Sequence, residues 1–335
     1  MITIKEVAKL AKTSRGTVDR VIHQRGKVAK EVEKRVMDVL IKTNYRPNSV
    51  ARSLAFLNNQ RHVGVIIGSR NQPFFDLVEE GIRHQIDKVY YSGLDFAIKS
   101  IEVFSEEQTL QAIEELKQLN LSLLIISTIE TEKIKKALED LDIPIIALNI
   151  NLNLKNKLAY VGPDYLNSGK LLANIANLIF KDKVRTSIVI SSVLHNGLKQ
   201  RLKGLIEVLN HNFEIVKIYD NFDSEVLTYK ATKEILENES SDLIFFLSAG
   251  FKGANLALSE FKGKLPKIIT VDQTMEVIDC LKNDLVIASV GQHPFSQGKE
   301  AINLAYDYLI RTEKVKENII LENTIFLKES LISHT

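Results

Sequence analysis

At 335 residues the chain is long enough for two or three domains with real cores, and 45% of its residues are hydrophobic. Its single cysteine, Cys280, excludes an internal disulfide and Cys-based metal motifs, and no apolar stretch approaches the roughly 20 residues that span a bilayer. The net charge of +2 hides an asymmetry: residues 1–60 carry 13 Lys/Arg against 5 Asp/Glu and the remainder is net acidic, the distribution expected of a nucleic-acid-binding head on an acidic body.

The run TIKEVAKLAKTSRGTVDRVI reads as two short amphipathic helices around a tight turn. Val7, Ala8, Leu10 and Ala11 fall at helical spacing in the first, and Val18, Val21 and Ile22 in the second. Lys12-Thr13 makes the turn, and Ser14 is placed to cap the second helix through its hydroxyl. Val32, Val36, Val39 and Leu40 form one stripe on a third helix, VAKEVEKRVMDVLIKTN, which closes a small core; Ala29 at its start offers no capping oxygen. With the apolar faces inward, Arg15, Gly16, Thr17, Asp19 and Arg20 are left at the outer, N-terminal side of the second helix, where a recognition helix meets base edges in the major groove. Arg15 and Arg20 can each make bidentate hydrogen bonds to guanine, while Thr17, Lys27, Lys30 and Lys34 suit phosphates. A fourth segment, YRPNSVARSLA, opens on Pro47 and holds barely two turns, so it is expected to order only against DNA or a second copy.

After the polar break FLNNQRH the pattern changes. The β-branched runs VGVII, DFAIKSI, SLLIIS, PIIAL, SIVIS, EIVKI, DLIFF, KIITV and VIASV alternate with helical stretches such as residues 105–119, 165–180, 199–209, 225–237 and 296–311. Strict alternation predicts parallel sheets covered on both faces, a doubly wound α/β architecture. In such sheets ligands sit beyond the carboxyl ends of the strands. No phosphate-binding glycine loop, HExxH or GxSxG is present, the seven histidines are scattered, and the reading is of a binding protein without catalysis or cofactor.

The combination of TIKEVAKLA, TVDRVI and NYRPNSVARSLA closely resembles the lactose-repressor/galactose-repressor (LacI/GalR) family of bacterial transcription regulators, over nearly the whole length. The resemblance implies an all-α helix-turn-helix head with a hinge helix at about 47–55, together spanning 1–59. A two-lobed, periplasmic-binding-protein-like domain follows over 60–335. Its first lobe takes about 61–160 and 291–323, its second about 161–290. It also implies DNA contacts at Thr3, Ser14, Arg15, Gly16, Thr17, Arg20, Lys27, Asn48, Ala51 and Leu54, the last as an apolar wedge in the minor groove. The segment NQPFF resembles the family's NPFF signature, RLKGL its Arg-x-x-Gly, and VGQHPFSQG its return crossing. Effector contacts are accordingly expected at Asn71, Phe74, Phe75, Asn149, Arg201, Asp272 and Gln292.

Several family features are missing. Gly16 replaces a polar or bulky residue, and Asp19 stands where a small hydroxyl residue often touches phosphate; its carboxylate either accepts from a cytosine amino group or pairs with a neighbouring arginine. Asn149 replaces an acid, Ile150 an arginine, and LSAGFKG the usual Asn-Asp, so that Gly250 brings no side chain; Trp is absent. The effector class therefore stays open among modified sugars, sugar phosphates, polyols and other small molecules. The expected whole is a ligand-responsive repressor, switched by a sugar-like effector and bound as a homodimer to a pseudo-palindromic double-stranded operator. The start MITIKEVAKL has charges where a secretory signal places its apolar region, and the tail NTIFLKESLISHT ends as a strand and polar residues, so a cytoplasmic dimer without membrane attachment is expected. The alternative is a cytoplasmic small-molecule binding protein whose helical head makes protein contacts.

Overall fold

A left-handed residue and a serine hydroxyl make the first corner of the chain. Helix α1 (Ile4–Leu10) ends at Lys12, whose φ is +47°, and α2 (Arg15–Ile22) begins with the Ser14 Oγ accepting the Thr17 N–H at 3.1 Å. These two helices pack with α3 (Lys30–Lys42) around Val7, Ala8, Ala11, Val18, Val21 and Val36, all buried. Leu10 does not join them: it is 56% exposed, because the position four residues after Val7, Ala11, already fills the inward face of α1. Val32, Val39 and Leu40 pack only part-buried against this core. The computed structural model describes residues 4–22, 28–43, 61–68, 72–103, 105–191 and 195–331, so the expected hinge helix lies outside the described residues. The chain divides into two units, Met1–Gln60 and Arg61–Thr335.

In the larger unit the central apolar runs become strands buried on both faces, as crossovers covered by helices require, while DFAIKSI and EIVKI become partly exposed edge strands. The first sheet contains β1 (Arg61–Ile67), β2 (Leu94–Ser100), β3 (Leu121–Ile126), β4 (Ile145–Leu148), β5 (Lys157–Pro163) and β11 (Asn318–Leu321), in the order β11-β5-β4-β3-β1-β2, all parallel. The second contains β6 (Val184–Ile190), β7 (Phe213–Asp220), β8 (Leu243–Phe246), β9 (Lys267–Val271), β10 (Val286–Gly291) and β12 (Thr324–Phe326), in the order β12-β10-β9-β8-β6-β7. The expectation of purely parallel sheets fails at one edge: β12 runs antiparallel to β10, since a chain that enters from the first sheet only two residues earlier can pair in that direction alone. Alternate side chains feed opposite layers. Val65 and Ile67 face one core of the first sheet and Ile66 the other; Ile188 and Ile190 face one core of the second sheet and Val189 the other.

The covering helices are α4 (Pro73–Val89), α5 (Glu106–Lys117), α6 (Glu132–Glu139), α7 (Tyr165–Ile179), α8 (Asn196–Val208), α9 (Glu225–Glu234), α10 (Phe251–Glu260), α11 (Met275–Lys282) and α12 (Pro294–Tyr306). Expected helices 225–237 and 296–311 keep their length but finish in single π-turns at Ile235–Glu239 and Asp307–Arg311, each stopped by a left-handed residue, Ser240 or Thr312. One helix contact bears directly on the cleft. A methyl group added at Gly169 of α7 would meet the Arg201 carbonyl oxygen at 1.9 Å, and one at Gly204 of α8 would meet the Leu166 carbonyl at 2.1 Å. Glycine at both positions lets α7 and α8 cross backbone to backbone, which sets where Arg201 stands.

Candidate functional site: the helix-turn-helix face and the interlobe cleft

On the head, Arg15, Gly16 and Arg20 are exposed on α2 and Thr17 is half-buried. Besides capping the helix, the Ser14 hydroxyl lies 2.9 Å from the Thr17 hydroxyl, so these two groups already satisfy each other. Space around Gly16 is open, the nearest neighbour of an added Cβ being the Ser14 Oγ at 3.9 Å; the glycine answers no packing demand. Thr3, Lys27, Asn48, Ala51 and Leu54 lie outside the described residues.

The larger unit holds a cleft between its two sheets. Every one of the first ten strands delivers residues to it from just past its carboxyl end: Gly68 after β1, Glu102 after β2, Ser127 after β3, Asn149 after β4, and Tyr165 after β5. The second sheet answers with His195 after β6, Asp223 after β7, Ser248 after β8, Asp272 after β9 and Gln292 after β10. This is the position that open α/β sheets offer to a ligand.

Arg201, 1% exposed, organises the second-sheet side. Its Nε donates to the Ser168 Oγ at 3.1 Å, its Nη1 to the Leu247 carbonyl at 2.7 Å and its Nη2 to the Gln292 Oε1 at 2.6 Å. Its guanidinium carbon sits 4.7 Å from the centre of the Tyr165 ring. Three of five N–H groups are thus spent on the protein, which fixes the fork and leaves two for a ligand. Gln292 passes the connection on: its Nε2 donates to the Asp272 Oδ1 at 2.6 Å. Burial raises the pKa of the Asp272 carboxyl, while Arg201 and Gln292 pull it back down. Asp272 holds a left-handed backbone, φ +67°, that turns the chain out of β9.

Asn149 lines the cleft and is also held by the protein. Its Nδ2 donates to the Gln297 Oε1 at 3.0 Å and its Oδ1 accepts from the Tyr165 hydroxyl at 3.0 Å, so both ends of the amide are engaged by the protein. Gln297 in turn donates to the Gln292 carbonyl at 2.8 Å. The chain Arg201–Gln292–Gln297–Asn149–Tyr165 closes on itself through the ring-to-guanidinium contact and links both sheets where the backbone crosses between them.

Phe74 and Phe75 line the cleft from the start of α4, half-buried and edge-to-face at 5.3 Å. Asn71 lies outside the described residues, whereas its neighbour Gln72 lines the cleft and donates through Nε2 to the Asp223 carbonyl at 3.4 Å, from one lobe to the other. Sequence reasoning passed over Gln72, Tyr165, His195, Asp223 and Ser127. Asp223 carried a usable signal, since YDNFDS directly follows a strand. Its Oδ1 accepts the Ala249 N–H at 3.1 Å, and burial pushes its pKa up to about 6. His195 is buried and neutral: its Nδ1 accepts the Leu198 N–H at 3.1 Å to cap α8, and burial with the nearby Arg201 lowers its pKa to about 3. Among the described residues no group of three or more His, Cys, Asp or Glu side chains is placed to hold a metal ion, and no helix is long and apolar enough to cross a membrane.

Comparison with known proteins places both units. Residues 3–48 match the bacterial regulatory proteins of the lacI family, and residues 63–313 match the periplasmic binding protein domain. Over 329 residues the chain is 25% identical to a ribose operon repressor of Lactococcus lactis, covering 96% of this chain and 95% of that one. A ribose operon repressor of Halalkalibacterium halodurans is 34% identical over 153 residues, 46% of this chain and 44% of that protein. Among solved structures, the glucose-galactose binding protein GanP of Geobacillus stearothermophilus superposes with a TM-score of 0.74 at 18% identity, covering 82% of this chain and 99% of its own. A likeness at that identity speaks for the fold. The chain thus belongs, over residues 63–313, to the periplasmic binding protein domain family, and carries ahead of that two-lobed domain a helix-turn-helix head of the lacI family of bacterial regulatory proteins.

Proposed function

We propose that the protein is an effector-controlled repressor that binds a pseudo-palindromic operator as a homodimer and is switched by a small sugar-like molecule in the interlobe cleft. One observation carries the reading: a capped helix with exposed Arg15 and Arg20 is joined to a cleft whose Arg201, Asp272 and Gln292 form a fixed fork of donors and acceptors at strand ends. Relatives named as ribose operon repressors support the repressor role and a carbohydrate effector. In this reading Arg15 and Arg20 face base edges, Thr3, Ser14, Gly16, Thr17, Lys27, Asn48 and Ala51 meet the DNA around them, and Leu54 enters the minor groove at the operator centre. Phe74 and Phe75 cover the apolar face of the effector, and Arg201, Asp272 and Gln292 bond its hydroxyls. Asn71 is assigned to the same shell, and Asn149 holds Tyr165 and Gln297 in register beneath it.

Coupling follows from linkage. An effector shifts the balance between lobe arrangements only by its differential affinity for them, and operator affinity must change by the same factor in return. A gel shift of the full chain on DNA from upstream of its own gene tests the reading: salt-sensitive, specific retardation is expected, and binding indifferent to sequence would contradict it. A head that makes protein contacts instead leaves the exposed arginines without a role.

A further inference from the structure

The charge in the cleft is lopsided. Among the described residues its lining carries three carboxylates, Glu102, Asp223 and Asp272, against one guanidinium, Arg201, since His195 is neutral. The mouth of the cleft adds Asp76, Glu225 and Glu276 against Lys252, which lies 3.8 Å from Glu225. Arg201 has only two N–H groups left for a ligand, since three already serve protein acceptors, and its single charge is outnumbered by the carboxylates around it. Of the helix starts beside the cleft, that of α7 is capped by the Asp164 carboxylate and that of α8 by the His195 Nδ1, whereas α4 and α10 begin without a side-chain cap but beside the carboxylates of Asp76 and Asp223.

A second, independent feature points to a polar ligand in the cleft. The Ser127 hydroxyl, in a residue only 3% exposed, lines the same space and has no hydrogen-bond partner. A buried hydroxyl left unmatched is costly unless a ligand supplies its partner. With Asp223 and Asp272 pure acceptors when ionised, the surface calls for a ligand rich in donors.

We infer that the effector presents hydroxyl or ammonium donors to Asp223 and Asp272 and bears no phosphate or carboxylate, with Asp223 as the residue that turns anions away. The inference rests on the cleft being the effector site. It assigns a charge class that the fold leaves open, because a sugar and its phosphate ester fit equally well as shapes. Asp272 from the end of β9 and Arg201 of α8 bear on Asp223 by charge, and the Ala249 N–H, Ser191 and Ser248 by hydrogen bonds, while Glu102, His195, Glu225 and Lys252 line the same space.

The test uses the full-length protein and one carbon skeleton in four charge forms: D-glucose, D-glucosamine, D-glucose 6-phosphate and D-glucuronate. In thermal-shift and calorimetric titrations the neutral or amino form is expected to bind, and both anions at least about tenfold more weakly. Asp223→Asn should narrow that gap; asparagine retains an acceptor for the Ala249 N–H and tolerates the left-handed backbone at this position, φ +55°. An anion that binds tighter than its neutral parent overturns the inference. Should no member of the series bind, a ligand-free measurement decides. Asp223→Asn is expected to raise the melting temperature more at pH 8 than at pH 4, because burial and the nearby Asp272 oppose the ionised carboxylate. Equal melting of the two proteins at pH 8 would equally overturn it. A protein that fails to retard any DNA would instead sink the repressor reading and leave these charge results standing.

Discussion

The two walls of the cleft are made of different chemistry. From the first sheet come Phe74, Phe75, Ile101, Val103, Ile129 and Ile150, with few charged groups among them; from the second come Arg201, Asp223, Asp272 and Gln292, locked in hydrogen bonds before any ligand arrives. Directional groups that are already held cost little to use, so orientation and selectivity should reside in the second lobe. Apolar surface rewards whatever covers it, so the first lobe should supply affinity through closure. Binding of that kind makes lobe approach itself depend on occupancy, which is the requirement for a switch.

The largest expected effect comes from Arg201→Met. It leaves the Leu247 carbonyl, the Gln292 Oε1 and the Ser168 Oγ without their donor, and loss of a buried charged partner costs roughly 3 kcal/mol or more of stability. Chemical denaturation should register that loss together with disappearance of effector binding; wild-type affinity in a folded variant would place the anchoring elsewhere. Gly169→Ala comes next, at roughly 1–3 kcal/mol, because its methyl group collides with the Arg201 backbone and forces α7 and α8 apart. A variant as stable as wild type would show that this helix contact does not set the second wall.

Phe74→Ala should sharpen the contrast from the other side. The ring is half-buried in the free protein, so the melting temperature should move little while effector affinity falls by about tenfold, an aromatic contact of about 1–1.5 kcal/mol. Substantial destabilisation with unchanged affinity would reassign Phe74 to the core. The smallest effect is on pH dependence. Asp223 titrates near 6 in the folded protein, above its ordinary 3.8, so the folded state favours the protonated form. Its contribution to stability is therefore fully present at low pH, declines between about pH 4 and 6 and is flat above. Melting curves of wild type and Asp223→Asn across that window should converge at the acid end; parallel curves would mean Asp223 is not opposed by its burial.

Much of this was readable before any coordinates. Nine strands announced themselves as β-branched runs, and Arg201, Asp272 and Gln292 were legible from motifs at strand ends. The fifth strand was not, because KLAYVGP dilutes its apolar residues with Lys157, Gly162 and Pro163. The edge strand Asn318–Leu321 is four residues long and half-exposed, below the length at which periodicity speaks. Asp223, His195 and Ser127 were missed for another reason: each is an ordinary loop polar residue until three chain crossings bring ten strand ends together. Asn149 adds a further case. Its position after β4 suggested a ligand contact, and only the tertiary fold reveals that Tyr165 and Gln297 also hold both ends of its amide.

The claim that the cleft governs the head is tested most directly by measuring operator affinity of the full-length protein with and without a saturating effector found in the charge series, in wild type and in Phe74→Ala. The account predicts that effector changes operator affinity in wild type, and that Phe74→Ala needs about tenfold more effector for the same change. Operator affinity that stays constant while the cleft fills would contradict it.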